Sequence, residues 1–274
     1  MATYVFFHRE FVGKNWPIVG DRYRGFESLI EEFKKLGAAV FEPEEVDENL
    51  LLKVHTEKFL EEQSKNWYYR GAKLTVGGVV KACELVWKEK GNAVVFSVAA
   101  GHHAGRNHAW GGTYLNCAGT ALVRLRELGL RRIALIDTDA HHGDGDRDVL
   151  FGDRNALHIC FCWNNIVEDG GTKICVRVSD VDGDEEYLER VLDTFGIIEK
   201  FEPEMILHFF GHDTHKYDYG SLGLSEEFFP KLAKEIKNLA DEICEGRYVL
   251  IDGGGANREV GMKIWREIVK ILLS

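Results

Sequence analysis

The feature that most constrains the fold is a repeated switch between two hydrophobic periods. Continuous apolar runs occur at Tyr4–Phe7, Ala39–Phe41, Ala93–Val98, Ile133–Ile136, Ala156–Phe161, Met205–Phe210 and Tyr248–Ile251. Short runs of this kind read as strands buried on both faces. Between them lie segments of helical spacing: Phe26–Leu36, closed by Gly37, then Leu50–Gln63 and Leu74–Lys88, and stretches near Tyr114–Leu128, Glu186–Lys200 and Glu226–Glu245. Alternation of this type predicts a mainly parallel central sheet with helices on both faces. Only 4 Pro are present among 274 residues, and no Pro- or Ser-rich run marks a linker. The expectation is therefore one α/β domain over residues 1–274.

Ligands of open parallel sheets bind beyond the carboxyl ends of the strands. Three polar clusters fall there. Gly101-His102-His103 follows the run ending at Val98, Asp137-Thr138-Asp139-Ala140-His141-His142-Gly143-Asp144 follows Ile136, and Gly211-His212-Asp213-Thr214-His215 follows Phe210. A lone histidine at a strand end is ordinarily a structural residue, but three imidazole and carboxylate clusters at equivalent strand ends point to a metal. Mixed Asp and His donors suit Zn²⁺, and a catalytic zinc keeps three protein ligands and one open position. Asp139 and His141 are two residues apart, so an extended segment points both side chains the same way. The third ligand has to come from another loop, where Asp213 is the obvious candidate.

Charge and cysteine content bound the partners. A formal net charge of −11 argues against general nucleic-acid binding and is compatible with a cationic ligand. The six cysteines are scattered without a Cys-x-x-Cys pair, and read as small core residues rather than a disulfide framework. No signal-peptide pattern opens the chain and no apolar run reaches membrane-spanning length, so a cytoplasmic location is expected.

The sequence Ile136-Asp137-Thr138-Asp139-Ala140-His141-His142-Gly143-Asp144-Gly145-Asp146 resembles the metal loop of the histone deacetylase family, which includes acetoin-utilisation proteins and acetylpolyamine amidohydrolases. Gly101–Gly105 resembles that family's tandem-histidine loop, and Gly211–Asp213 its third-ligand turn. Val54-His55-Thr56, Gly77-Gly78, Tyr114-Leu115-Asn116, Phe201–Glu204 and Gly253–Gly255 with Asn257 resemble further landmarks in the family's order. The resemblance implies a metal-dependent amide hydrolase of the deacetylase type. Asp139, His141 and Asp213 would hold one Zn²⁺, and His102 and His103 would act as general base and acid. Asp137 would support His102, and Asp144 would support His103. The resemblance further implies a structural K⁺ at Asp137, a channel-lining Arg22, and substrate contacts at Gly111 and Gly112. The expected substrate is a small-molecule or peptide N-acyl amine, such as an acylated lysine or an acetylpolyamine.

Two departures stand out. The glycine run is followed by Ala256, where most active relatives carry a tyrosine whose hydroxyl stabilises the oxyanion. Losing one such donor typically costs ~10²–10³ in turnover. Asn257, Arg258, His108 or a substrate hydroxyl are candidate replacements. In addition, Gly112 and the Ile166/Val167 region stand where tunnel aromatics are expected, leaving Trp110, Trp163, Trp67, Tyr68 and Tyr69 as candidate entrance residues. The competing reading is a catalytically weak, zinc-containing homologue that binds an acyl group or acts as a scaffold. A two-manganese, arginase-type centre is disfavoured because Asp213 is not followed two residues on by a second aspartate.

Overall fold

A computed structural model describes all residues, 1–274. Nine strands form one sheet: β1 (Thr3–Phe6), β2 (Ala39–Phe41), β3 (Asn92–Val95), β4 (Ile133–Asp137), β5 (Ala156–Cys162), β6 (Ile166–Glu168), β7 (Lys173–Arg177), β8 (Met205–Phe210) and β9 (Tyr248–Asp252). Their spatial order is β2-β1-β3-β9-β8-β4-β5-β7-β6, and every pair is parallel except β6 with β7. The helices are α1 (Glu27–Leu36), α2 (Glu48–Leu51), α3 (Glu57–Gln63), α4 (Tyr69–Glu89), α5 (Ala118–Glu127), α6 (Asp144–Leu150), α7 (Asp184–Leu192), α8 (Phe195–Phe201), α9 (Phe228–Ile243) and α10 (Arg258–Leu273).

Both faces of the central strands are covered, as their unbroken apolar runs require. Successive side chains leave a strand on opposite faces, and the neighbours of β3 and of the residue after it show this directly. Val95 faces α4 at Gly78, whereas Phe96 meets Trp265 of α10 at a ring separation of 5.1 Å. Trp265 also contacts Phe210 at the end of β8, and Phe229 of α9 packs on the same ring. All residues of β3, β8 and β9 are buried, while the edge strand β6 is exposed throughout.

Several boundaries differ from the sequence expectation for identifiable reasons. The helix expected over Leu50–Gln63 is two helices, because Thr56 caps α3 through Phe59 N–H and His55 turns inward. The His55 ring meets the Gly105 carbonyl at 2.8 Å and accepts the Asn116 N–H. The helix expected near Glu186–Lys200 is likewise interrupted, between Leu192 and Phe195. Two strands and two helices lie outside the sequence expectation: β6, β7, α6 and α10. Lys173 explains the concealment of β7. Its charged side chain is fully buried, and its ammonium donates to the carbonyls of Asp153 and Ala156.

Candidate metal and catalytic site

Four adjacent strands, β3, β9, β8 and β4, deliver their following loops to one end of the sheet. The third loop on this list brings Asp213 beside Asp139 and His141 of the fourth. His141 Nδ1 lies 3.1 Å from Asp139 Oδ1 and 2.9 Å from Asp213 Oδ2. Backbone donors fix the other carboxylate oxygens: Gly254 N–H donates to Asp139 Oδ2, and Ala140 N–H donates to Asp213 Oδ1. Gly254 is required by proximity, since a Cβ there would stand 2.4 Å from Asp139 Oδ2.

This donor set fits a divalent cation. Asp213 Oδ2 is buried and faces His141 Nδ1 at 2.9 Å, and the three donor atoms converge within 4.8 Å of one another. Burial, followed by the charge of Asp139, pushes the Asp213 carboxyl up to about 7. Hydrogen bonds to Asp139 and then Asp213 hold the His141 imidazole up to about 10. A cation would replace the proton on which this trio otherwise depends. The other candidate donor groups in the structure share no residue with the trio.

The histidine pair stands beside it. His102 Nδ1 lies 2.8 Å from Asp137 Oδ2, His103 Nδ1 lies 2.7 Å from Asp144 Oδ1, and the two Nε2 atoms are 3.1 Å apart. Each imidazole is therefore oriented by its own carboxylate, leaving Nε2 for chemistry. Their environments push them apart. Burial opposes charge on His102, but Asp137 and Asp139 overcome it and raise the group to about 10. His103 is lowered, first by burial and then by the charge of His102.

These groups line a cavity of about 320 Å³ that includes Arg22, His102, His103, Asp139, His141 and Tyr219. Gly111 and Gly112 also line it, with φ of +58° and +81°. A Cβ on Gly111 would come within 2.5 Å of the His103 ring. Trp110 lies against that ring at 3.8 Å between centroids, and its indole N–H donates to Asp144 Oδ2. Arg22 forms part of the wall by clasping the carbonyls of Gly253 and Gly255. A larger surface groove of about 650 Å³ lies elsewhere, and its basic side chains are paired with its own carboxylates, as in Lys53–Glu127 and Arg124–Glu84.

The candidate entrance aromatics separate clearly. Trp110 lines the cavity, whereas Trp163, Trp67, Tyr68 and Tyr69 do not. Ile166 and Val167 lie on the exposed edge strand. The candidate replacement donors are also elsewhere: Asn257 caps α10, Arg258 donates to the Arg24 carbonyl, and His108 does not line the cavity. Ala256 turns away, its N–H bound to Asp218. Sequence reasoning missed Tyr219. Its ring is 5.7 Å from that of His141, and its hydroxyl oxygen accepts the Gly255 N–H at 3.1 Å. Burial of the hydroxyl, with Asp213 and Asp139 nearby, holds it firmly protonated, although the residue as a whole is 45% exposed. Nothing in the local sequence marks this tyrosine, because the contact depends on where the loop after Asp213 meets the glycine run.

The histone deacetylase domain family matches residues 64–272. The chain belongs to the histone deacetylase family. A probable deacetylase of Archaeoglobus fulgidus is 27% identical to it, with 94% of this chain and 82% of that protein covered. The acetoin utilization protein AcuC of Bacillus subtilis is 25% identical over 73% of this chain and 54% of its own length. The crystal structure of the HDA15 HD domain superposes with a TM-score of 0.82 at 19% identity, covering 99% of this chain and 89% of that one. That likeness shows the shared deacetylase-type fold. No helix of this member of the family is long and apolar enough to cross a membrane.

Proposed function

We propose that the chain is a zinc-dependent amidohydrolase that removes a small acyl group from an amine such as an acylated lysine or an acetylpolyamine. The observation that carries this reading is the convergence of Asp139, His141 and Asp213 beside two carboxylate-backed histidines in one cavity. Asp139 and His141 line that cavity, so an ion held there would keep an open face toward it. Such an ion would polarise the acyl carbonyl and lower the pKa of an attacking water towards ~7.

The protein's own groups divide the remaining work. His103, kept neutral by burial, takes a proton from the attacking water at Nε2. His102, held charged by Asp137, gives a proton to the departing amine as the C–N bond breaks. The products are the free amine and a carboxylic acid. Tyr219 accepts the Gly255 N–H, which leaves its own O–H to donate to the carbonyl oxygen as charge develops there. This hydroxyl supplies the function that Ala256 cannot, and it favours an enzyme over a catalytically weak binding module. Arg22 and the turn at Gly111 and Gly112 shape the acyl end of the cavity, with Trp110 packed on His103. A K⁺ at Asp137 would share its oxygens with existing partners, since Oδ2 faces His102 and Oδ1 accepts the Asp139 N–H.

The test is elemental analysis with an activity assay. The Asp139→Ala/Asp213→Ala variant should contain one zinc fewer per chain than the wild type and should hydrolyse no acyl amide. An unchanged metal content, or full turnover in this variant, would overturn the assignment.

A further inference from the structure

A second group of metal-type donors lies behind the catalytic loop, and the proposed hydrolase chemistry does not use it. Cys160 and Cys162 are two residues apart on β5, so both thiols leave the same face of the strand. Cys175 of β7 is the register partner of Cys160, and the three thiols form one buried cluster. His142, from the loop between β4 and α6, points its Nδ1 at all three. The distances are 3.8 Å to Cys160 Sγ, 3.5 Å to Cys162 Sγ and 3.6 Å to Cys175 Sγ.

The nitrogen-to-sulfur separations match a particular coordination geometry, with His142, Cys160 and Cys162 already within 4.8 Å of one another and Cys175 at a like distance from the imidazole. Zinc bonds of ~2.3 Å to sulfur and ~2.05 Å to nitrogen, at tetrahedral angles, place nitrogen and sulfur about 3.6 Å apart. We infer that His142, Cys160, Cys162 and Cys175 form a closed, tetrahedral site for a thiophilic divalent ion, of which zinc is the best match. Three thiolates and a dication leave one negative charge. Arg147 answers it, with Nη2 only 2.8 Å from Cys175 Sγ and a side chain that is itself largely buried. Loss of three thiol protons to solvent completes the balance. A neighbouring trio, Asp137, His158 and Cys160, is a weaker host because its carboxylate already orients His102.

With four protein donors the site has no open position, so its role is structural. It ties the loop that carries Asp139, His141 and Asp144 to β5 and β7 through the residue next to His141. The scattered spacing of the cysteines concealed this. Only the pairing of β5 with β7 brings Cys175 to the other two.

Two variants separate this site from the proposed catalytic one. Wild type should hold two zinc ions per chain, and both Asp139→Ala/Asp213→Ala and Cys162→Ser/Cys175→Ser should hold one. If the cysteine variant does not fold, the aspartate variant still decides the question. Reloaded with cobalt, it should show an intense thiolate-to-cobalt charge-transfer band and tetrahedral d–d bands. The inference is overturned if the aspartate variant binds no metal, or if its bound cobalt gives no thiolate band. Failure of the hydrolase assignment alone would leave the cobalt spectrum of the cysteine site intact.

Discussion

Tyr219 reaches the cavity because Asp218 anchors the preceding turn to the glycine run, accepting N–H groups from Ala256 and Asn257. Replacing its hydroxyl should therefore affect the chemical step rather than the fold. Tyr219→Phe is expected to lower kcat on an acetyl amide by ~10²–10³ with little change in KM or zinc content. The loss should be smaller on a trifluoroacetyl amide, whose carbonyl needs less assistance. A raised KM with kcat nearly unchanged on both substrates would assign Tyr219 to binding instead. The histidine pair gives a second residue-scale prediction. A base depressed below the ordinary histidine value stays unprotonated to lower pH, so the acid limb of kcat/KM should lie below 6.5. Asp144 raises His103, so Asp144→Asn should move that limb to still lower pH while reducing kcat. A pH–rate profile of the two proteins measures both effects. Gly111→Ala places a methyl group against His103 on a backbone of positive φ. Turnover should fall by at least about tenfold at unchanged zinc content, because small displacements of a catalytic group are costly.

At the level of elements, the loops were more legible than the strands that carry them. The three polar clusters stand out in sequence because His and Asp are unusual directly after apolar runs, and the structure gathers them at one end of adjacent strands. What remained hidden depends on contacts between distant segments. Lys173 breaks an apolar pattern that its buried hydrogen bonds make tolerable, and Tyr219 and Cys175 acquire their partners only through loop meeting and strand pairing. The helix break at His55 has the same origin, since its ring is drawn to Gly105 and Asn116. Buried histidines also give the sheet a pH signature. His208 of β8 connects Thr138 and Tyr248 at 2.8 Å and 2.7 Å, and burial lowers it to about 3, while His55 is lowered to about 4 by the same cause. Between those values and 6.5 these two groups bind more protons in the unfolded chain than in the folded one, so the stability they contribute falls as pH falls through that window. Denaturant midpoints should decline from pH 6.5 towards 4, and His208→Gln should flatten the decline. A pH-independent midpoint in wild type would contradict it.

At the scale of the whole molecule, the net charge of −11 surrounds a cavity whose own walls include both signs. A cationic acyl amine should be drawn to such a surface more than a neutral one. Raising ionic strength should therefore lower kcat/KM for an acetylpolyamine while leaving a neutral acetyl amide nearly unaffected. Parallel salt responses would remove charge steering from the account. Family membership and the fold support deacetylase chemistry, and in the proposed function a metal at Asp139, His141 and Asp213 would drive amide hydrolysis. The most direct measurement is turnover of a trifluoroacetyl-lysine amide before chelation, after chelation and after zinc is restored. Hydrolysis should disappear with the metal and return with it. Turnover indifferent to chelation, or none from the zinc-loaded protein, would contradict it.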